Sequence, residues 1–224
     1  MSRDLNRILR QSTVNNADIC GLRIKFQLDE NIPHPYTSGV KRAAGTGYHA
    51  GVAEGYLQIQ RGEPIDPERM LSAALEDLHR EQESCDSFDW RFQAATARQP
   101  EIVYDQAMLD ELVTIHVARY INEDRFWPRD RYEVLGVELA FLQQYPGVAN
   151  WQRSGTMDLV LRDSETGWLH VVDHKLTGKK WYANKTKASE SVQAAWYIAA
   201  AREIFQTRDV TFNYDVMDMK GGFE

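Results

Sequence analysis

The chain has 224 residues, 43% of them hydrophobic and 26% charged, which is ordinary for a soluble globular protein with one substantial core. A formal net charge of −7 excludes a generic polycationic coat for nucleic acid, though not a local basic groove. No apolar run reaches the roughly 18 residues of a membrane span, the N-terminus lacks an apolar signal core, and two cysteines are too few for a disulfide framework or a four-cysteine metal cage. The expectation is a single cytoplasmic domain, residues 1–224, with reduced thiols.

In chain order, residues 29–47, "DENIPHPYTSGVKRAAGTG", are punctuated by Pro and Gly and read as a loop. A helical pattern follows from about Tyr48 to Gln60, where His49, Val52, Tyr56 and Ile59 share one face. Asp66 and Pro67 open a second helix as N-cap and first helical residue, with Met70, Ala74 and Leu78 as its buried stripe. A third covers Asp105 to Glu123, with Leu109, Leu112, Val113, His116 and Val117 at helical spacing. The period then changes. "YEVLGVELAFLQQY" (132–145), 157–162 and 168–175 read as strands, "ASESVQAAWYIAAAREIF" (188–205) as a helix capped by Ser189, and "DVTFNYDVM" (209–217) as a closing strand. The order gives an α/β fold: a mainly helical part over 1–130, then a sheet over 131–217 fed by a meander and one crossover.

The segment "MDLVLRDSETGWLHVVDHK" (157–175) carries the chemistry. If Asp163 pairs with Trp168 around the turn "SETG", with Gly167 supplying a positive φ, Asp158 falls opposite Asp173. Their Cβ atoms would then stand about 4.5–5.5 Å apart. Alternation places Lys175 on the face of Asp173 and turns His174 away. Facing carboxylates repel unless a cation lies between them, and two carboxylates with a backbone carbonyl suit Mg²⁺ or Mn²⁺. Metal, carboxylate pair and lysine together suit phosphodiester hydrolysis. A plainer reading stays open at this point, in which the aspartates are turn or cap residues and Lys175 is solvated.

"GTMD" (155–158), "DHK" (173–175) and "QAAWY" (193–197) resemble the G-x-x-D, D-x-K and Q-x-x-x-Y motifs of the RecB-like branch of the PD-(D/E)XK nuclease superfamily. "GTGYH" (45–49) resembles that branch's upstream histidine motif, and Glu138 in "GVELAF" stands where a strand glutamate is usual. The resemblance implies a restriction-endonuclease-like α/β core, a central mixed sheet flanked by helices, and DNA cleavage dependent on Mg²⁺ or Mn²⁺. It implies Asp158, Asp173, His49 and the carbonyl of His174 as metal ligands and Lys175 as the catalytic lysine. Glu138 is either a site residue or a structural carboxylate. Gln193 and Tyr197, one helical turn apart, suit DNA contact or bracing of the site.

Many members of that branch hold an iron–sulfur cluster on one cysteine near the N-terminus and three after Q-x-x-x-Y. Cys20 stands where the first would be, but no cysteine follows Tyr197, so no cluster is expected. The resemblance is to the stand-alone exonucleases of phages and CRISPR adaptation, in DNA recombination or repair. An endonuclease or nickase on the same site and a DNA-binding module with a vestigial site are the competing readings. Between hairpin and last helix, "KLTGKKWYANKTK" (175–187) interleaves lysines with aromatic rings. Lys179, Lys180, Trp181 and Tyr182 are therefore candidate DNA contacts, against the bland alternative of a solvated loop. The basic stretches 41–47 and 125–131 are weaker candidates.

Overall fold

The computed structural model describes residues 7–10, 36–93, 100–148, 150–177 and 191–219. Its strands and helices run β1 (Arg7–Arg10), β2 (Thr37–Gly39), α1 (Val40–Gln60), α2 (Pro67–Ser84), β3 (Ser87–Asp89), β4 (Arg91–Gln93), β5 (Ile102–Val103) and α3 (Gln106–Asn122), followed by β6 (Tyr132–Gln144), β7 (Trp151–Asp163), β8 (Leu169–Thr177), α4 (Val192–Phe205) and β9 (Val210–Asp218). The expected α/β arrangement is present: a mixed central sheet with helices on both faces.

In that sheet β7 is the hub. It pairs antiparallel with β6 along one edge. Along the other it pairs antiparallel with β8 at Leu159–Arg162 and parallel with β1 at Trp151–Ser154. The β8–α4–β9 crossover makes β9 parallel to β8. One face carries α1, α2 and α3 over Leu159, Leu161, Val172 and Met217. The other carries α4, whose Trp196, Tyr197, Ala200 and Ala201 pack on Met157, Val160, Leu169 and Val171. Each fully buried Leu or Val contributes about 1.5–3 kcal/mol of transfer free energy.

The stripes read from helical spacing are the ones buried. Met70, Ala74 and Leu78 of α2, and Leu109, Leu112, Val113 and Val117 of α3, have no exposed surface. Asp66 caps α2, accepting from the N–H groups of Glu68 (3.0 Å) and Arg69 (3.4 Å), and Asp105 caps α3. His116 is a satisfied core histidine, its ring nitrogens 2.7 and 3.2 Å from the carbonyls of Leu112 and Asp218.

Three boundaries differ from expectation. The loop assigned to 40–47 is helix: α1 begins at Val40, eight residues early. Glycine lowers helix propensity, but Gly47, Gly51 and Gly55 form a stripe where neighbouring elements approach closely. A Cβ at Gly47 would lie 2.7 Å from the Ala74 carbonyl oxygen, and one at Gly51 2.9 Å from Val117. Tight packing of α1 on α2 and α3 therefore outweighs the local penalty. The cap of α4 is Ser191, whose hydroxyl accepts from the Ala194 N–H, and Ser189 lies outside the described residues. β7 begins six residues before the expected start, because β6 and β1 pair with residues 151–156. Strands β2 to β5, two or three residues each, are too short to show a period and were not expected.

Candidate active site

The β7–β8 hairpin has the expected register. Arg162 pairs with Leu169 and Leu159 with Val172, the Asp163 N–H donates to the Trp168 carbonyl at 2.9 Å, and Gly167 has φ +75°. The same register carries Asp158 to the level of Asp173, but the paired ladder ends one step earlier, at Leu159. There the side chain takes over: Asp158 Oδ2 accepts the backbone N–H of His174 at 2.9 Å. The candidate site sits at this fork, where β7 leaves β8.

Asp173 is 1% exposed. Its Oδ2 meets Lys175 Nζ at 2.6 Å, and its Oδ1 accepts Gln193 Nε2 from α4 at 2.7 Å. Alternation along β8 turns the His174 ring to the other face, stacked on Tyr56 with centroids 5.8 Å apart. From α1, His49 Nδ1 approaches Asp158 Oδ2 at 3.4 Å. From β6 comes Glu138, opposite Asp158. One ligand atom each from His49, Glu138 and Asp158 lies within 4.8 Å of the others. Opposite ligands around Mg²⁺ stand about 4.2 Å apart, twice its usual bond length, so three donors from three elements converge on the space of one ion. Asp173 lies outside this trio, held by Lys175 and Gln193.

Glu138 reaches that position through an irregular strand. The β6–β7 register shifts between Val134 and Gly136, and Glu138 itself has φ +47°. A non-glycine residue in this region stores about 1–3 kcal/mol of strain, which the surrounding sheet must offset. No residue pattern in the sequence reports a backbone angle of this kind.

The electrostatics are those of a cluster short of positive charge. Burial, then the charge of Asp158, pushes the Asp173 carboxyl up to about 6 despite Lys175. Burial also raises Asp158, against the pull of His174 and Lys175. Crowding by protein and then Asp158 push Glu138 up to about 7. Its carboxylate is solvent-exposed, so screening weakens the corresponding energy. Burial, then the charges of His174 and Lys175, lowers His49 to about 4. Its imidazole is therefore neutral at pH 7, the form that ligates metals. Oxygen-rich donors with one neutral imidazole fit a hard divalent cation, and the imidazole favours Mn²⁺ over Mg²⁺.

Other expected residues fall as follows. Gln193 braces Asp173. Tyr197 is 8% exposed and packs edge-on against Phe141. Burial raises its hydroxyl to about 12 against a hydrogen bond from Gln193, with Asp158 and Asp173 raising it further. Arg125 and Arg131, weaker DNA candidates, are engaged by Asp215 and Asp163, and Arg42 by Glu81. Lys179, Lys180, Trp181, Tyr182 and Cys20 lie outside the described residues.

A second polar cluster behind the site escaped sequence reasoning. His174 Nδ1 lies 3.0 Å from Asp215 Oδ2 on β9, and Asp215 Oδ1 accepts Arg125 Nη2 at 2.5 Å. Burial opposes it, yet His174 and Arg125 hold Asp215 below the usual carboxylate range. No residue pattern in the sequence warned of it: Asp215 falls on the polar phase of "VTFNYDVM" with Thr211 and Asn213, where a solvent-facing residue is ordinary.

The model of the PD-(D/E)XK nuclease superfamily matches residues 9–216. No protein of curated function matches the chain.

Proposed function

The chain belongs to the PD-(D/E)XK nuclease superfamily, whose members are nucleases that use divalent metals, and we propose that it is a Mg²⁺- or Mn²⁺-dependent DNA exonuclease of the RecB-like branch. It would act free-standing, in recombination, repair or the processing of phage DNA. The observation that carries this reading is the convergence of His49, Glu138 and Asp158 beside the Asp173–Lys175 pair.

In this reading His49, Glu138, Asp158 and the His174 carbonyl hold the metal. When bound, the metal supplies Lewis-acid polarisation of the phosphate and a water of lowered pKa. The remaining work falls to the chain's own residues. Lys175 Nζ, fixed against Asp173, orients the attacking water and stabilises charge developing on the non-bridging phosphate oxygens. Asp173, its carboxyl poised near 6, accepts the water's proton as the new P–O bond forms. The bond to the leaving oxygen breaks and that oxygen is protonated from solvent. Gln193 holds Asp173 in place.

The test is digestion of DNA labelled separately at its 5′ and 3′ ends, beside a covalently closed circle. The expected outcome is stepwise release of label from one end with Mn²⁺ or Mg²⁺, none in EDTA, and an intact circle. Lys175→Ala should be at least a hundredfold slower. Wild-type rates in that variant or turnover in chelator would overturn the assignment, and a nicked circle would convert it to an endonuclease.

A further inference from the structure

Beside the carboxylates lies a cleft of about 400 Å³ that the chemistry above does not use. Among the described residues its walls are Arg10 from β1, Ser154, Gly155 and Thr156 from β7, Ala140 and Phe141 from β6, and Tyr197 from α4. We infer that this cleft is a subsite for one unpaired nucleotide of the substrate strand, next to the phosphate being cut. The inference rests on the nuclease reading and deepens it.

Position comes first. Thr156 is two residues from Asp158 along β7, and Ala140, its partner in the β6–β7 ladder, is two residues from Glu138. Two residues of strand span about 6.6 Å. Tyr197 ties the cleft to the site through α4: it stands one helical turn after Gln193, whose amide donates to Asp173 at 2.7 Å. A nucleotide in the cleft is therefore adjacent to whatever the carboxylates hold.

Size and chemistry come next. The volume lies at the lower end of the roughly 300–1,000 Å³ typical of small-molecule sites. It admits one nucleotide, so the base must leave its stack. Arg10 provides a guanidinium for a phosphate, and Ser154 and Thr156 provide hydroxyls that donate or accept at a base edge or sugar. Phe141 and Tyr197, 7% and 8% exposed, present a narrow aromatic floor. Gly155 keeps that floor open, because a Cβ there would lie 2.8 Å from Phe141 Cζ and 3.2 Å from Tyr197 Cε1.

The experiment measures binding of thymidine trinucleotides, too short to slide, to the full chain in EDTA, where cleavage is blocked. One ligand is intact, and three others each lack one base. Loss of one particular base should weaken binding at least tenfold, while loss of the others should matter little. Ala140→Leu, on an exposed strand position, narrows the cleft and should abolish this discrimination with an unchanged circular dichroism spectrum. Arg10→Ala should weaken all four ligands equally. Equal binding of all four by the wild type, or full discrimination retained in Ala140→Leu, would overturn the subsite. That result would leave metal-dependent cleavage by the wild type untouched. Absence of cleavage with discrimination intact would strike the nuclease reading alone.

Discussion

Asp173 and His174 are neighbours in β8 and face opposite sides of the sheet, each into a polar cluster, and the two clusters are built on opposite electrostatic terms. On the His174 side, the Asp215 carboxylate is met by an imidazole and a guanidinium and sits below its usual range. Both oxygens of Asp215 are met by cationic or donor groups, although His174 Nε2 is buried without a partner. On the Asp173 side, the carboxyls of Glu138, Asp158 and Asp173 are all raised, and Lys175 offsets only the two aspartates. A structural cluster satisfies its charges within the chain, whereas a site that recruits a cation leaves a deficit for the ligand to fill.

The largest expected difference is in activity. Asp158→Asn or Lys175→Ala should reduce DNA hydrolysis at least a hundredfold, while Asp215→Asn should retain measurable turnover. Comparable losses in all three, in a steady-state assay, would erase the distinction.

Stability should order the two aspartate variants the other way. Removing one partner of a buried charge pair costs about 3–5 kcal/mol, and Arg125 is 26% exposed, so Asp215→Asn should cost about 3 kcal/mol. For a chain of this length that is a fall of roughly 6–12 °C in Tm. Asp158→Asn relieves repulsion and keeps an acceptor for the His174 N–H, so in EDTA its Tm should match or exceed that of the wild type.

A smaller effect follows from pH. Asp173 and Glu138 titrate higher in the folded chain than in the unfolded one, so the folded state binds more protons between about pH 4 and 7. Their contribution to the stability of the metal-free protein falls as pH rises through that window, while His49, lowered to about 4, contributes with the opposite sign below about pH 6.5. The contribution of Asp215 has the opposite sign: it is present above the ordinary aspartate range and lost at lower pH. Melting curves in EDTA from about pH 6.5 to 8, where His49 is largely neutral folded or unfolded and Glu138 still titrates, should show a declining Tm, and saturating Mn²⁺ should flatten or reverse the slope. A rising Tm without metal would contradict the charge deficit.

The smallest expected effect is that of Gln193→Ala. It removes one hydrogen bond to a buried carboxylate, worth about 1–3 kcal/mol, and should lower kcat while leaving the KM for DNA nearly unchanged.

Much of this was legible from spacing. The four-residue turn "SETG" set the register of residues 157–175 and hence the common level of Asp158 and Asp173, the period of 2 put Lys175 on the face of Asp173, and the period of 3.6 put His49 on the inward face of its helix. What spacing could not show was the third dimension. The fork at Leu159 depends on β1 pairing with β7, and β1 is a four-residue strand more than 140 residues away in the chain. The early start of α1 was masked because glycine reads locally as a loop, while here it is a contact surface. The geometry of Glu138 rests on a strained φ, and Asp215 acquires meaning only when β9 lies beside β8.

The central claim is that His49, Glu138 and Asp158 together form a divalent-cation site. Anomalous diffraction from crystals of the full chain grown with Mn²⁺ tests it most directly. The account predicts a peak bounded by these three side chains and the His174 carbonyl, absent in Asp158→Asn. Strong Mn²⁺ peaks elsewhere, with this position empty, would contradict it.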